Sequence, residues 1–386
     1  GPQKVCLPAA PGRKGGECAV KRVICSPGSY LQGQGELSRL AEYYQTLGRQ
    51  GAYLIVSRSA YAVWKDRIDG GFRSAGIPYE VHLFGGECCQ SEIDKHLRQI
   101  GNCDVVLGVG GGKVLDTAKA AAHFARKPVI IAPTIASTDA PCSRVAVLYT
   151  EQGAFSHYLS LSSNPNMVVV DTLAVAQAPV RFLMAGVGDA LATCYEAEAA
   201  ARSGAVTMAG GCSTRAALAL AQLCRDTLLQ YGRQAKADAE RGTVTDAVEN
   251  VVESNTYLSG VGFESGGLAA AHAIHNGLTV LGETHKLLHG EKVAFGTLVQ
   301  LVLERRDAED ILKIIAFCRD CGLPTTLEEL GLAHAGDERL MQAASASCAP
   351  EETMGNMPFP VTPEDVLSAM KRADQIAQLA GMLKRG

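Results

Sequence analysis

Residues 104–133, with the sequence DVVLGVGGGKVLDTAKAAAHFARKPVIIAP, decide the fold of this chain. The apolar run at 104–109 is typical of a buried strand, and three glycines follow it directly. The segment 114–125 has the apolar spacing of a helix, and 128–132 is a second short apolar run. A strand, a helix and another strand in this order predict a βαβ unit of a parallel sheet.

The same alternation extends outward from this unit. It predicts helices at 61–74 and 91–100, and strands at 53–56, 79–84, 146–149 and 167–170. Beyond about residue 178 the strand signals nearly vanish. The helical segments predicted there are 181–203, 207–231, 243–260, 263–280, 291–305, 308–321, 337–347 and 363–384.

We therefore predict an α/β N-terminal domain with a parallel, Rossmann-like sheet at residues 23–178, and an all-α C-terminal domain at 179–386. A chain of 386 residues is too long for one ordinary core, which also favours two domains. Residues 1–22 are polar and rich in Pro, Gly, Lys and Arg. They predict a flexible tail, with a trimmed targeting segment as the alternative, and Gly1-Pro2 at the start is typical of a protease-cleavage scar from a tag.

Composition excludes several classes of partner. A net charge of −4 gives no electrostatic footprint for nucleic acid or for an anionic membrane. No apolar run reaches the roughly 18 residues that a membrane-spanning helix needs. The 13 cysteines are scattered through apolar segments, which predicts reduced thiols in a cytoplasmic protein. Cys318 and Cys321 form a CxxC without a second pair, so coincidence is the simpler interpretation than zinc or redox chemistry.

The glycine loop Gly110-Gly111-Gly112-Lys113 joins the central strand to its helix. Glycines let a backbone approach a phosphate closely, and a helix N-terminus offers free N–H groups, so the loop predicts a pyrophosphate site. Tight turns also use such glycines, and the spacing is neither that of a Walker loop nor of the usual dinucleotide fingerprint. Lys113 either adds charge at the phosphates or is simply exposed, and Asp116 with Lys119 has the spacing of a surface pair.

A second loop, PTIASTDAPCS at 133–143, follows the next strand. It lies at the carboxyl end of a parallel strand, where open α/β sheets bind ligands. Its hydroxyls and the carboxylate of Asp139 suit a cofactor or a substrate. An ordinary capped turn would have the same composition.

Four of the nine histidines lie within residues 272–289, and neutral imidazole is the commonest metal ligand in proteins. His272 and His275 are three residues apart, whereas His285 and His289 are four apart. Either pair suits a metal on one helical turn, and the spacing does not choose between them.

A catalytic metal site of this kind needs a third protein ligand and one open position. Asp189, in Gly186-Val-Gly-Asp189, is the best carboxylate for it and is predicted at the start of a helix. An aspartate at a helix start is also a common N-cap, so Asp189 has a purely structural alternative.

Five motifs carry a resemblance to a known family: GVGGGK, PTIASTDAPCS, GVGDALAT, GGLAAAHAIHNG and HGEKVAFGTL. In this order and with their surroundings, covering nearly all of residues 22–386, they resemble the glycerol dehydrogenase branch of the iron-containing (group III) alcohol dehydrogenase family. The resemblance implies a dehydroquinate synthase-like fold with a nucleotide-binding α/β half, a helical metal-binding half and catalysis in the cleft between them. It also implies Zn2+, a nicotinamide cofactor and a homo-oligomer, for which an octamer is the family's suggestion.

Matched motif by motif, the resemblance implies Asp189, His272 and His289 as metal ligands, with His275 and His285 beside the site. His275 would relay a proton, and Asp139 would contact the substrate polyol. The cofactor contacts that it implies are Gly110, Gly111, Gly112, Lys113, Thr134, Ser137, Ser143, Val145 and Tyr149.

The chain departs from the family pattern at two places. Iron-dependent relatives carry a second histidine four residues after the aspartate, where this chain has Thr193, so three protein ligands favour zinc. Glycerol dehydrogenases typically hold the adenosine ribose with an acidic residue after the strand at 53–56, where this chain has Ser57-Arg58-Ser59. Arg58 can pair with a 2′-phosphate, which predicts a shift from NAD toward NADP. Alternatively, Arg58 points to solvent and NAD is still used.

The expected reaction is the reversible oxidation of a small polyol, with glycerol to dihydroxyacetone as the leading case. Another diol, a hydroxyketone or a hydroxy acid fits the same site. A dehydroquinate synthase-like lyase and a glycerol-1-phosphate dehydrogenase are rivals that handle phosphorylated substrates. They need a basic pocket, and the loop around Asp139, which contains no basic residue, argues against them. A non-catalytic protein that retains this fold is a third alternative. The intact candidates for all three metal ligands argue against it.

Overall fold

The computed structural model describes residues 21–383, which divide into two compact units. The first unit contains Ser26–Val180 and Asp238–Gly260, and the second contains 21–25, Arg181–Ala237 and 261–383. The tail predicted at 1–22, with its cleavage scar, lies outside the described residues except for its last two. We predicted that 238–260 belongs to the helical domain, but this segment makes its contacts in the first unit. The predicted domain boundary near 178 stays a prediction.

Six strands form the sheet of the first unit, all parallel, in the order β1-β8-β5-β4-β2-β3, which confirms the predicted parallel α/β architecture. The other two, β6 and β7, form a separate antiparallel ribbon. The strand at 146–149 was therefore predicted correctly, but it does not join the parallel sheet. The strands are β1 Ser29–Gly33, β2 Ala52–Val56, β3 Tyr79–Leu83, β4 Val105–Gly110, β5 Val129–Pro133, β6 Val145–Tyr149, β7 Phe155–Ser160 and β8 Met167–Asp171.

The helices of the described residues largely follow the predicted segments. They are α1 Leu40–Leu47, α2 Arg58–Ala75, α3 Gln90–Gln99, α4 Gly112–Ala125, α5 Thr172–Gln177, α6 Val180–Ser203, α7 Arg215–Glu240, α8 Asp246–Glu253, α9 Ser259–Gly266, α10 Ala270–Leu278, α11 His289–Leu303, α12 Ala308–Asp320, α13 Asp337–Ser347 and α14 Pro363–Leu383. A π-helical turn, Ser254–Leu258, joins α8 to α9. The helix predicted at 263–280 is interrupted before α10, because Gly267 adopts a φ of 106°, which favours glycine.

The central strands are buried along their whole length. Every residue of β2, β4 and β5 is buried, as expected for a parallel sheet that is covered on both faces. Trp64 and Phe72 of α2 pack in the same core cluster as Leu54 and Leu107. β1 and β7 were not predicted, because all of their side chains are half-buried or exposed and neither strand has the apolar run of the central strands.

The strand order places a topological switch point between β2 and β4. The chain leaves β2 toward β3 at one edge and then returns to β4 on the other side of β2. Ligands of open α/β sheets bind in the crevice at the carboxyl ends of the strands where the order reverses. The loops that follow β2 and β4 therefore lie where such a ligand binds.

Two further predictions concern the chain as a whole. All eleven cysteines of the described residues are free thiols. Burial raises the pKa of Cys321 to about 11, and it raises that of its CxxC neighbour Cys318 further. Within the described residues, no helix has both the length and the apolar character needed to cross a bilayer.

Candidate metal centre and nucleotide-binding edge

Asp189 is a fully buried carboxylate in the interior of α6. The prediction that it begins a helix is wrong, because α6 already starts at Val180. The N-cap alternative is thereby excluded, since the backbone around Asp189 is already helical.

Glycines bring α6 against the first turn of α11. A Cβ built on Gly188 would lie 2.4 Å from the carbonyl oxygen of Gly290, and one on Gly290 would lie 1.7 Å from that of Ala185. The two backbones are thus in direct contact, which no larger residue allows. Since His289 is the first residue of α11, this contact places its ring beside Asp189.

A third glycine brings α10 against α11. A Cβ on Gly296 would lie 2.4 Å from the carbonyl oxygen of Ala271. His272 is the next residue along α10, and its ring centroid lies 5.4 Å from that of His289. The glycine-rich motifs therefore position the side chains that they flank.

The structure brings together Asp189, His272 and His289, each offering a ligand atom within 4.8 Å of the others. The Nε2 atoms of both histidines lie 3.1 Å from Oδ1 of Asp189. His272 is buried, whereas the side chain of His289 is 36% exposed, so solvent reaches the cluster from its side.

Glu196 is a fourth member of this region that the sequence analysis missed. It is fully buried on α6, and its Oε2 lies 2.6 Å from Nδ1 of His272. Its position seven residues after Asp189 is the signal that would have found it, because residues two turns apart share one helix face.

Charge interactions within the cluster shift the pKa values of its members. Burial alone raises the pKa of Asp189, but the neighbouring His289 and His272 outweigh it and hold that pKa far below its ordinary value. Burial lowers the pKa of His272, yet Glu196 and Asp189 outweigh it and hold that pKa well above its ordinary value. The site thus stabilises positive charge between these groups.

The other two histidines of residues 272–289 differ in position. His275 is buried, with its ring centroid 4.1 Å from that of His289 and its Nδ1 2.9 Å from Oδ1 of Asn276. Burial, with His289 and His272 as neighbours, holds the pKa of His275 well below its ordinary value. His285 is exposed, and its Nε2 lies 2.9 Å from the carbonyl oxygen of Thr279, so it does not join the cluster.

The donor set fits a divalent metal. Ligands about 2.0–2.1 Å from a tetrahedral zinc lie about 3.3 Å apart, close to the 3.1 Å measured from each histidine to Asp189. When Nδ1 of His272 donates to Glu196, Nε2 faces the Asp189 carboxylate, where a proton on Nε2 or a metal cation between the two groups compensates the negative charge. Thr193 offers no fourth nitrogen ligand. Its methyl group instead lies against Gly262, where an added Cβ would be 2.6 Å from it.

At the switch point of the sheet, three loops are joined by backbone hydrogen bonds. The N–H of Ser57 donates to the carbonyl of Val109, and the N–H of Thr134 donates to that of Gly110. The loops after β2, β4 and β5 therefore lie side by side at the carboxyl edge. This edge contains the predicted residues Arg58, Gly110, Gly111, Gly112 and Thr134.

Not every glycine of the loop is required by the fold. Gly110 has a φ of 143°, and a Cβ on it would lie 2.7 Å from Oγ of Ser57, so the chain itself requires glycine there. A Cβ on Gly112 would meet nothing within 4 Å. Gly112 begins α4, so its open side adjoins free N–H groups at a helix N-terminus, which suits a phosphate.

Lys113 and Tyr149, two predicted cofactor contacts, are neighbours. The Nζ of Lys113 lies 4.7 Å from the Tyr149 ring centroid and 2.6 Å from Oε2 of Glu87. Burial raises the pKa of Tyr149 to about 12, so its hydroxyl is neutral and can donate a hydrogen bond. Lys113 is thus near the start of α4 and already paired with a carboxylate.

The second loop is held by the segment that follows α8. Nδ2 of Asn255 donates to the carbonyl of Ala136, and Oγ of Ser259 donates to Oδ2 of Asp139 at 2.7 Å. Asp139 is buried, whereas Ser137 is half-buried. The carboxylate predicted to contact the polyol is therefore already oriented by a hydroxyl group.

The Asp116–Lys119 pair is buried, so its interpretation as a surface pair is wrong. Nζ of Lys119 lies 3.3 Å from Oδ1 of Asp116 and donates to the carbonyls of Ala140 and Val145 at 2.7 and 3.1 Å. It also lies 3.5 Å from Oγ of Ser143. Lys119 therefore holds the second loop and the start of β6 against α4.

We expect Lys119→Met to lower the free energy of unfolding by about 3 kcal/mol, because removing one partner leaves a buried carboxyl uncompensated. Burial already raises the pKa of Asp116, so protonation relieves part of this cost. Urea unfolding measures the loss. The double variant Asp116→Asn/Lys119→Met should recover part of it, and a loss below about 1 kcal/mol in the single variant would contradict the buried pair.

Comparisons with known proteins agree with this architecture. A profile of the iron-containing alcohol dehydrogenases matches residues 27–172. A glycerol dehydrogenase of Escherichia coli O6:H1 is 52% identical over 360 residues, covering 92% of this chain and 98% of that protein. A glycolaldehyde reductase of Halobacterium salinarum is 42% identical over 358 residues, again covering 92% and 98%. The crystal structure of glycerol dehydrogenase from Schizosaccharomyces pombe superposes with a TM-score of 0.91 at 41% identity, covering 95% of this chain and 93% of that one.

These similarities, together with the parallel sheet and the helical second unit, define an alcohol dehydrogenase with a dehydroquinate synthase-like fold. Identity of this level over nearly the whole chain leaves no doubt about its relatives. The chain belongs to the iron-containing alcohol dehydrogenase family, in its glycerol dehydrogenase branch.

Proposed function

We propose that this protein reversibly oxidises a secondary alcohol of a small polyol with a nicotinamide cofactor and zinc, glycerol to dihydroxyacetone being the leading reaction. The observation that carries the proposal is the convergence of Asp189, His272 and His289 in a chain that is 52% identical to a glycerol dehydrogenase.

The chemistry divides between the bound groups and the chain. Bound zinc would supply a Lewis acid that lowers the pKa of an alcohol, and bound nicotinamide would supply a hydride acceptor. Asp189, His272 and His289 would hold the metal. The glycine loop and Lys113 would bind the pyrophosphate, with Thr134, Ser137, Ser143, Val145 and Tyr149 as further cofactor contacts.

Two side chains would act on the substrate. Asp139 already accepts a hydrogen bond from the hydroxyl of Ser259, and we propose that it accepts another from the polyol. The pKa of His275 lies well below its ordinary value, so this ring is neutral at pH 7 and can accept a proton that leaves the alcohol.

A substrate panel tests the proposal directly. Glycerol, 1,2-propanediol and 2,3-butanediol, each with NAD+ and with NADP+, should give zinc-dependent reduction of the cofactor, recorded by its absorbance. Activity should disappear on chelation and return with zinc. No turnover of any of these diols by zinc-loaded protein would overturn the proposal.

Reduction of a carbonyl substrate, the reverse direction of the reaction, is supported by another relative. The relative from Halobacterium salinarum is a glycolaldehyde reductase, so this chain is also proposed to reduce small hydroxyaldehydes. Glycolaldehyde with NADH and NADPH belongs in the same panel. Assembly into a homo-oligomer and a cytoplasmic location stay predictions.

The position of Arg58 supports a role in cofactor selection. It is the exposed first residue of α2, and the preceding Ser57 lies against Gly110 of the glycine loop. The N-terminus of a helix carries a partial positive charge, which repels a cation placed there. Together the two positive charges favour the binding of an anion. We propose that this anion is the 2′-phosphate of NADP, which this protein would use at least as well as NAD.

We expect Arg58→Asp to lower kcat/KM for NADP+ by about 10- to 100-fold, the range for one charge-assisted pair, and to spare or raise that for NAD+. Initial rates with both cofactors measure this. Arg98→Asp makes the same charge change at the far end of α3 and should alter neither value. A wild-type preference for NAD+ over NADP+ would contradict the proposal.

A further inference from the structure

We infer that Glu196 is a positioning residue, which fixes the ring of His272 and thereby sets the affinity of the cluster for its metal. The inference rests on the proposed metal site. Glu196 and Asp189 lie on one face of α6, so the same helix would supply both a ligand and the group that orients another ligand.

Glu196 uses both carboxylate oxygens. Its Oε1 accepts the backbone N–H groups of Ala269 and His272, each at 2.9 Å, and its Oε2 lies 2.6 Å from Nδ1 of His272. The carboxylate is fully buried, and these three donors satisfy it. One side chain thus fixes both the backbone and the ring of the same residue.

The backbone contacts explain the local structure. α10 begins at Ala270 after a run of Gly, Leu and Ala, and no side chain within that run caps it. The first N–H groups of a helix need acceptors, and Glu196 supplies one from α6. The start of α10 is therefore tied to α6, where Asp189 lies.

The ring contact decides which nitrogen faces the metal. An ionised carboxylate only accepts hydrogen bonds, so Nδ1 of His272 carries a hydrogen toward Glu196, and Nε2, which faces Asp189, is the nitrogen that binds a metal once the metal displaces its proton. Metal-binding histidines are commonly oriented in this way, and loss of the orienting group typically lowers metal affinity about 10- to 100-fold.

Glu196→Gln separates the two roles. The amide oxygen can still accept the backbone N–H groups of Ala269 and His272. The amide nitrogen, however, is a donor facing Nδ1, which favours the tautomer with hydrogen on Nε2 and blocks the lone pair. We therefore expect the fold to be retained, whereas the lone pair of Nε2 is no longer available to a metal.

The experiment is a zinc titration of the full chain against a chelator of known affinity, with thermal unfolding of the zinc-free protein recorded in parallel. We expect Glu196→Gln to lower zinc affinity about 10- to 100-fold with little change in the zinc-free melting temperature. Glu198→Gln, two residues further along α6 in a partly exposed ion pair with Arg306, should keep wild-type affinity. Wild-type zinc affinity in Glu196→Gln would overturn the inference, whereas a wild-type protein without zinc affinity would overturn the proposed function itself.

A second measurement reads the wild-type protein itself and uses a variant only to assign the signals. The ring nitrogen resonances of His272 in the zinc-loaded wild type, assigned by comparison with His272→Gln, report which nitrogen carries hydrogen. Hydrogen on Nδ1 with zinc on Nε2 supports the inference. Zinc on Nδ1 would overturn it.

Discussion

Replacement of Asp189 by alanine is expected to abolish both zinc binding and turnover. Among the described residues, Asp189 is the carboxylate that contacts both Nε2 atoms, at 3.1 Å each, so its loss leaves only two imidazole rings to hold a dication. Asp189→Asn, which keeps the shape but not the charge, should fail in the same way. Zinc content after dialysis and the initial rate with glycerol measure the two losses together.

Two histidines within residues 272–289 provide a variant and its matched control. His289→Ala removes a proposed ligand that is partly exposed, so the fold should survive while zinc and activity are lost. His285→Ala, four residues earlier and exposed, should keep both. If instead His285→Ala loses zinc and His289→Ala keeps it, the assignment of ligands made from the geometry is wrong.

The second large effect is expected at Gly290. A Cβ there would lie 1.7 Å from the carbonyl oxygen of Ala185 and 3.0 Å from the N atom of Asp189. Overpacking of side chains typically costs about 1–3 kcal/mol. Here the obstacle is backbone and cannot rotate away, so Gly290→Ala should cost at least about 3 kcal/mol. Separation of α11 from α6 would also carry His289 away from Asp189, and zinc affinity should fall with stability.

Chemical unfolding and zinc titration of Gly290→Ala measure these two effects. Gly282→Ala is the matched control, since a Cβ at Gly282 meets nothing within 4 Å and its φ is ordinary. It should resemble the wild type in both measurements. Wild-type stability and zinc affinity in Gly290→Ala would show that the helices do not touch as described.

Much of the first unit could be predicted from local pattern. Short apolar runs at β2, β4 and β5 are buried on both faces, and such runs separated by helical periodicity permit few architectures other than a parallel sheet. The exposed β7 was missed because it has no such run, and Ala146–Tyr149 was grouped with the parallel strands because its pattern does not reveal its partner.

The charged pair on α4 shows what a local pattern cannot decide. Asp116 and Lys119 have the spacing of an exposed ion pair, and nothing in the sequence distinguishes a solvated from a buried one. Burial depends on the second loop, whose carbonyl groups at Ala140 and Val145 accept hydrogen bonds from Lys119. This is a contact between residues that are more than twenty positions apart.

By itself the sequence determined the parallel α/β fold and the glycine loop after β4, and it predicted metal-ligand chemistry, because each follows from residue types within one short segment. Spacing left two histidine pairs open, and only the resemblance chose His272 with His289. Tertiary structure decided that these two meet Asp189, which lies 83 and 100 residues away in the chain, and that Glu196 orients one of them. The physical reason is the direct backbone contact of helices at Gly188, Gly290 and Gly296, since the distance between helices depends on which residues face each other across the contact.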